Sequence, residues 1–320
     1  MNLKIYLHLR PLKRARYMKK LIVILGPTAS GKSEMAIKLA KKFNGEIISA
    51  DSRQVYKKMD IGTSKITRKE MRGIPHYLID IIYPNEEFNV AIYKKLAIKK
   101  IKDIQKRGKI PFLVGGTGLY IQAIVDNLYF PKISPQKKIR EKLEKKTEKE
   151  LFKIYKKLDP EGAKFIDKKN KRRLVRAIEV CKITGKSFWA QRKKGNPLFN
   201  ILEVGIKLKE EELTKRIFRR IEKMFEAELE KEVKKLSEKY GFKISPLQTI
   251  GYQEWREYFG KKITKNELKE KIRVHTLQFA KRQETWWKPD RRIRWTPPTC
   301  RPYQYTEKLI REFLKQTEKP

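Results

Sequence analysis

In 320 residues the chain carries 79 Lys and Arg against 37 Asp and Glu, a formal net charge of +42, with 39% hydrophobic residues. That length holds one large domain or two ordinary ones, and the apolar content rules out wholesale disorder. Cys181, Cys300, His8, His76 and His275 supply neither a disulfide framework nor zinc-ligand spacing, and no apolar run approaches the roughly 18 residues of a membrane span, so a reducing, cytoplasmic setting is expected.

Residues 1–17 are basic and lack any acid, and the apolar run that follows them is too short for a signal-peptide core. Met18-Lys19-Lys20-Leu21-Ile22 reads as a natural start, which makes 1–17 a loosely held extension or a mis-assigned beginning. The strand Leu21–Leu25 runs into Gly26-Pro27-Thr28-Ala29-Ser30-Gly31-Lys32-Ser33, a G-x-x-x-x-G-K-[ST] loop, and a helical pattern (Ala36, Leu39, Ala40, Phe43) follows. Such a loop turns several backbone N–H groups inward and adds the positive end of a helix, so it cradles a diphosphate or triphosphate. Lys32 supplies a cation for the outer phosphate, and the Ser33 hydroxyl can ligate Mg²⁺.

Glu46–Ala50 reads as a short buried strand ending on Asp51, followed by the polar loop Ser52-Arg53-Gln54 and by Met59-Asp60-Ile61-Gly62-Thr63. Tyr77–Ile82 reads as another strand, 89–107 as an amphipathic helix closed by Arg107-Gly108-Lys109, and Ile110–Val114 as a strand leading into Gly115-Gly116-Thr117-Gly118. Alternating strands and helices predict an α/β fold: a P-loop NTPase-like parallel sheet with its site at the strands' carboxyl ends. From 128 to about 199 the pattern is helical and Lys-rich, with Pro131 and Pro135 at its entry, and Ile201–Ile206 returns to a strand. The organisation expected is therefore a core in two parts, 18–127 and 200–320, with a mainly helical insertion at 128–199. Residues 172–179 fit either part. The spacing of Leu213, Ile217, Ile221, Phe225, Leu229, Val233 and Leu236 predicts one long helix over 210–238, and a second covers about 266–287.

Asp51, at a strand end beside the P-loop, can ligate Mg²⁺ through water, accept a proton, or cap its own turn. Asp80 ends an apolar strand as well, and spacing does not choose between the two acids. Thr117 ends a third strand, where its hydroxyl can face the same cleft. Lys281 and Arg282 beside Trp286-Trp287 pair cations with aromatics, which suits phosphate neutralisation and base stacking, while a core position is the plainer reading for one of the two tryptophans. The one-sided charge favours a nucleic acid over an anionic membrane, since no long apolar face accompanies it. A Lys-rich proteome or thermal adaptation is the alternative source of that charge.

These strings, with Ala50–Tyr56, Val114–Tyr120, Ile250-Gly251-Tyr252 and Lys281-Arg282-Gln283-Glu284-Thr285-Trp286, resemble the tRNA dimethylallyltransferases, also called tRNA isopentenyltransferases, over about residues 19–290 and in the family's order. The resemblance implies Mg²⁺-dependent transfer of dimethylallyl from dimethylallyl diphosphate to the exocyclic amine of the adenosine 3′ of the tRNA anticodon, by a monomer. It assigns the general base to Asp51, a cleft threonine to Thr117, and the diphosphate cation to Lys32. It assigns tRNA contacts to Asp51-Ser52-Arg53-Gln54, Thr117, Arg140, Arg172-Arg173-Leu174-Val175-Arg176, Gln248-Thr249-Ile250-Gly251-Tyr252-Gln253 and Lys281 through Trp287-Lys288. Gln248 stands where some members carry arginine and Gln253 where a basic residue is common, and the zinc-finger tail of eukaryotic members is absent. The competing readings are an adenylate isopentenyltransferase acting on free nucleotide, a small-molecule P-loop kinase, and a non-catalytic RNA-binding P-loop protein.

Overall fold

Five of the six residues of β1 (Lys20–Leu25) are buried, as expected of a strand covered on both faces of a parallel sheet. The computed structural model describes residues 19–131, 133, 136–191, 193–297 and 301–316; the basic extension, Pro135 and Cys300 lie outside them. After β1 come α1 (Lys32–Lys42), β2 (Gly45–Ala50), β3 (His76–Tyr77), α2 (Val90–Lys106), β4 (Ile110–Gly115) and α3 (Gly118–Val125). Next are α4 (Lys137–Glu144), α5 (Glu148–Leu158) and α6 (Lys171–Thr184), then β5 (Asn200–Gly205), α7 (Glu210–Glu226), α8 (Leu229–Tyr240), α9 (Trp255–Phe259), α10 (Lys265–Trp287), β6 (Arg294–Trp295) and α11 (Pro302–Lys315).

All six strands are parallel, in the order β3-β2-β4-β1-β5-β6. One face of the sheet is covered by α1 and α11, through Met35, Leu39, Ile310 and Phe313, the other by α2 and α3, through Tyr93, Ile101, Ile121 and Ile124. A further apolar cluster joins α7–α10 to the loop after β2, with Met59, Ile217, Leu229, Tyr252, Trp255 and Leu268 at its centre. The sheet therefore carries the α/β P-loop architecture that the alternation of elements implies.

Three local expectations are corrected. The strand read at 77–82 shrinks to two residues, because Leu78 (φ 62°) and Asp80 (φ 54°) adopt left-handed backbone that a strand cannot hold. The helix read at 210–238 is two helices, broken at Glu228 (φ 64°), so that Leu229, Val233 and Leu236 can turn into the same cluster as Leu213 and Ile217. The neighbour of β1 is β4 rather than β2, so Asp51 stands two strands from the P-loop strand and Thr117 one.

Compact packing divides the chain into one unit ending at Val125 and resuming at Pro197, and a second spanning Asp126–Asn196. The second packs α4, α5 and α6 around Leu143, Leu151, Tyr155, Leu174, Val175 and Ile178. Its fully buried Glu179 accepts hydrogen bonds from the Gln136 N–H and from the guanidinium groups of Arg140 and Arg176. Among the described residues no helix is long and apolar enough to cross a membrane.

Candidate active site

The loop between β1 and α1 is built to receive an anion. Ser30 N–H closes a turn on Pro27 O at 3.3 Å, and Gly31 (φ 86°) takes the left-handed conformation that glycine adopts without strain. Gly31 caps α1 with no side-chain acceptor, so the first amides of the helix face the loop uncapped. The buried Ser30 hydroxyl has no hydrogen-bond partner among the described residues. Lys32 Nζ folds back onto Pro27 O at 3.0 Å. Burial, and then the charge of Arg220, bring its ammonium down to about 8, against the opposing pull of Asp51.

Arg220, from α7, is a residue that sequence reasoning missed. Its guanidinium donates to Thr28 Oγ1 at 2.9 Å and to Thr63 O at 3.1 Å, and burial lowers its pKa. In the sequence it is one of a pair of arginines on the polar flank of an amphipathic helix, with nothing to single it out. Thr28 is also held on its backbone side: its N–H donates to Gln283 Oε1 at 2.8 Å, while Gln283 Nε2 donates to Gly116 O at 2.7 Å.

Asp51 follows β2. Its Oδ1 accepts the N–H groups of Arg53 (2.8 Å) and Gln54 (3.3 Å), so turn capping engages one oxygen; Oδ2 has no hydrogen-bond partner among the described residues. Thr117 Oγ1 accepts the Ser52 N–H at 3.0 Å, tying the end of β4 to the Asp51 turn. Asp80 is elsewhere. It pairs with the buried ammonium of Lys65, which also binds Asp60, and it does not line the cavity. The tertiary structure thus separates two acids that spacing left equal.

Lys32, Ser33, Asp51, Thr117, Arg220 and Arg282 share the wall of one cavity of about 440 Å³. Val114, Ile221, Met224, Ile272 and Phe279 give it an apolar side. The described residues contain no group of three or more His, Cys, Asp or Glu that could hold a metal ion. Among the hard oxygens on the wall are the Ser33 hydroxyl, at the head of the helix after the P-loop, and the Asp51 carboxylate, a pair that fits Mg²⁺, which is usually held by one or two protein oxygens together with substrate phosphates.

The IPP transferase family model matches residues 54–290. The chain belongs to the IPP transferase family. It is 44% identical over 289 residues to the tRNA dimethylallyltransferase of Caldanaerobacter subterraneus subsp. tengcongensis, covering 86% of this chain and 91% of that one. To the tRNA dimethylallyltransferase of Carboxydothermus hydrogenoformans it is 44% identical over 303 residues, covering 92% and 97%. The solved tRNA delta(2)-isopentenylpyrophosphate transferase of Staphylococcus epidermidis superposes with a TM-score of 0.69 at 40% identity, over 93% of this chain and 99% of that one. A eukaryotic dimethylallyltransferase, solved acting on tRNA, gives 0.80 at 29% identity over 93% and 80%.

The segments that the family resemblance marks for tRNA fall into distinct environments in this IPP transferase. On α10, Lys281, Arg282, Thr285, Trp286 and Lys288, just past its end, are exposed, whereas Gln283 and Trp287 are buried; Trp287 is the core tryptophan and Trp286, 43% exposed, is not. Burial raises the carboxyl of Glu284, and Glu210 adds to this, against Lys207 and Lys281. Thr249, Ile250, Gly251 and Gln253 line the cavity, as does Gln248, whose amide also donates to Lys243 O. Tyr252 is fully buried, and its hydroxyl donates to Glu232 Oε1 at 2.6 Å. In the second unit Leu174 and Val175 pack inward, Arg140 and Arg176 bind Glu179, and Arg172 and Arg173 lie on the outer part of α6.

Glu232, on α8, was also invisible in the sequence. Its carboxylate accepts the N–H groups of Asp60, Ile61 and Gly62 at 2.8–3.1 Å together with the Tyr252 hydroxyl. That fixes the loop whose next residue, Thr63, receives Arg220.

Proposed function

We propose that this chain transfers the dimethylallyl group of dimethylallyl diphosphate to the exocyclic amine of the adenosine 3′ of the anticodon in tRNA, releasing diphosphate. The observation that carries the reading is one cavity in which a P-loop, the cations Lys32 and Arg220 beside it, an apolar wall and a carboxylate oxygen without a partner among the described residues meet.

The diphosphate of the donor lies against the P-loop amides, with Lys32 and Arg220 on its oxygens, and the hydrocarbon chain lies along the wall formed by Val114, Ile221, Met224 and Ile272. The adenine enters unstacked, since an amine inside a stacked anticodon loop cannot reach the donor carbon. A bond forms between the amine nitrogen and C1 of the donor as the C1–O bond breaks, and the electron pair of that bond leaves with the diphosphate. Cations already in place for the leaving charge need no rearrangement at the moment of transfer, which is the electrostatic part of the catalysis. The proton displaced from the amine passes to Asp51 Oδ2, while Oδ1 stays engaged with the turn and keeps the carboxylate aimed. Thr117, fixed through Ser52 N–H, keeps its hydroxyl beside Asp51 and the incoming base. Ser33, with Asp51 near it, would hold Mg²⁺, which when bound supplies further charge against the diphosphate.

The net charge of +42 and the exposed cationic and aromatic face of α10 favour a folded RNA over a free nucleotide as acceptor. The reading includes a cytoplasmic monomer. Its test is mass spectrometry of tRNA nucleosides after incubation with dimethylallyl diphosphate and Mg²⁺, alongside an assay of released diphosphate. A prenylated adenosine matched by an equal amount of diphosphate is expected. Prenylation of free adenosine monophosphate but not tRNA, or release of a nucleoside diphosphate, would overturn it.

A further inference from the structure

Gln283 lies in the stretch of α10 that the family resemblance gives to RNA, yet its side chain is 7% exposed and both ends of its amide are engaged inside the protein. Oε1 takes the Thr28 N–H of the P-loop at 2.8 Å, and Nε2 donates to Gly116 O, at the end of β4, at 2.7 Å. An amide is the one short neutral side chain that accepts at one end and donates at the other, which is what a backbone N–H and a backbone C=O facing each other across a gap require. The approach is close enough that a Cβ on Gly116 would stand 2.4 Å from Gln283 Nε2, so glycine at 116 is a condition of the brace. Thr28 is thereby gripped twice, on its backbone by α10 and on its hydroxyl by Arg220 from α7. Just before Gln283 in sequence, Lys281 and Arg282 are exposed, and the exposed Trp286 follows about one turn later.

We infer that Gln283 is a positioning residue for the donor diphosphate rather than an RNA contact: it sets the P-loop backbone at Thr28 and fastens it to the strand end that carries Thr117. The inference rests on the proposed reaction for the identity of the donor, but its test does not. Inorganic diphosphate with Mg²⁺ is the probe for the loop, and an anticodon stem-loop RNA is the probe for α10, each titrated against the full chain. Gln283→Leu, close in volume and unable to bond either group, is expected to weaken diphosphate binding about tenfold, the scale of a lost neutral hydrogen bond, and to leave RNA affinity within about twofold. In turnover the KM for the donor rises while that for tRNA stays. Gln283→Glu keeps the acceptor for Thr28 but sets a carboxylate oxygen against Gly116 O, and its diphosphate affinity should be lost rather than rescued.

Gly116→Ala keeps Gln283 and displaces its amide, so it should reproduce the loss even where Gln283→Leu folds poorly. A loss of RNA affinity with unchanged diphosphate affinity in Gln283→Leu would overturn the inference, as would a normal donor KM in Gly116→Ala. If the wild-type protein binds diphosphate and forms no prenylated tRNA, the proposed reaction fails and the brace stands.

Discussion

Lys32 sits in a conflict of environments. Burial and Arg220 depress its ammonium to about 8, and the pull of Asp51 only partly offsets them. In the free protein a charged Lys32 is a stability penalty, present in full below about pH 8 and relieved as pH rises toward the ordinary lysine value, because over that window the unfolded chain binds more protons. A bound diphosphate reverses the balance and favours the charged form. Diphosphate binding at pH 9 is therefore expected to take up a proton, seen calorimetrically as a heat that changes with the ionisation enthalpy of the buffer, and Lys32→Ala should abolish that dependence. Asp51 calls for a different variant. Asparagine can still accept the Arg53 and Gln54 amides, so Asp51→Asn should fold and bind both substrates while turnover drops by about 10²–10⁴, the range for a positioned base. Near-normal single-turnover rates in Asp51→Asn would remove Asp51 from that role.

At the scale of elements, the break between α7 and α8 matters more than either helix alone. By turning at Glu228, the chain sends α7 toward Thr28 through Arg220 and α8 toward the 60–62 loop through Glu232. A carboxylate accepts from three amides and a phenol at once, which a carboxamide cannot do, since its NH₂ would face donors. Glu232→Gln should lower unfolding stability by about 1–3 kcal/mol, as read by urea denaturation, because amides of the loop lose a charged acceptor. Arg220 should then bind diphosphate less well, since Thr63 O, one of its two anchors, is carried by the same loop.

Across the whole molecule the positive charge divides into cations with internal work and cations without. Glu179 shows the first kind. Burial alone would push its carboxyl up, but the hydrogen bonds of Arg140, the Gln136 amide and Arg176 outweigh it and hold the group at about 2. The stability it contributes is present above the usual carboxylate range and is lost as pH falls from about 4.5 toward 2. Arg176→Ala should destabilise the protein by about 1–3 kcal/mol, the range for a buried charge deprived of a donor. Arg173, which makes no ion pair among the described residues, should behave otherwise. Arg173→Ala is expected to leave the thermal midpoint alone, weaken tRNAs of every sequence alike, and reduce the salt dependence of binding by about one unit. Affinity measured against salt, for tRNA with and without the target adenosine, separates the two arginines.

The sequence by itself determined the P-loop, the alternation that makes a parallel sheet and the helical stretch between its two parts, and it offered two acids and a threonine as strand-end candidates. Each of these is local: a glycine spacing, a run of β-branched residues, a period of 3.6 or a turn residue is written within a few positions of where it acts. Sequence order could not give strand order, so β4 was not seen to lie between β1 and β2, and Asp51 could not be told from Asp80 until Lys65 claimed the latter. Arg220, Glu232 and the inward turn of Gln283 were hidden for the same reason. Each is a polar residue on an amphipathic helix, locally indistinguishable from a solvated one, and acquires its role only when a partner 157 to 255 residues away is folded against it. The break at Glu228 carries no glycine or proline; packing decided it, because a left-handed residue there is offset by the burial of Leu229, Val233 and Leu236 in a core assembled from distant parts of the chain.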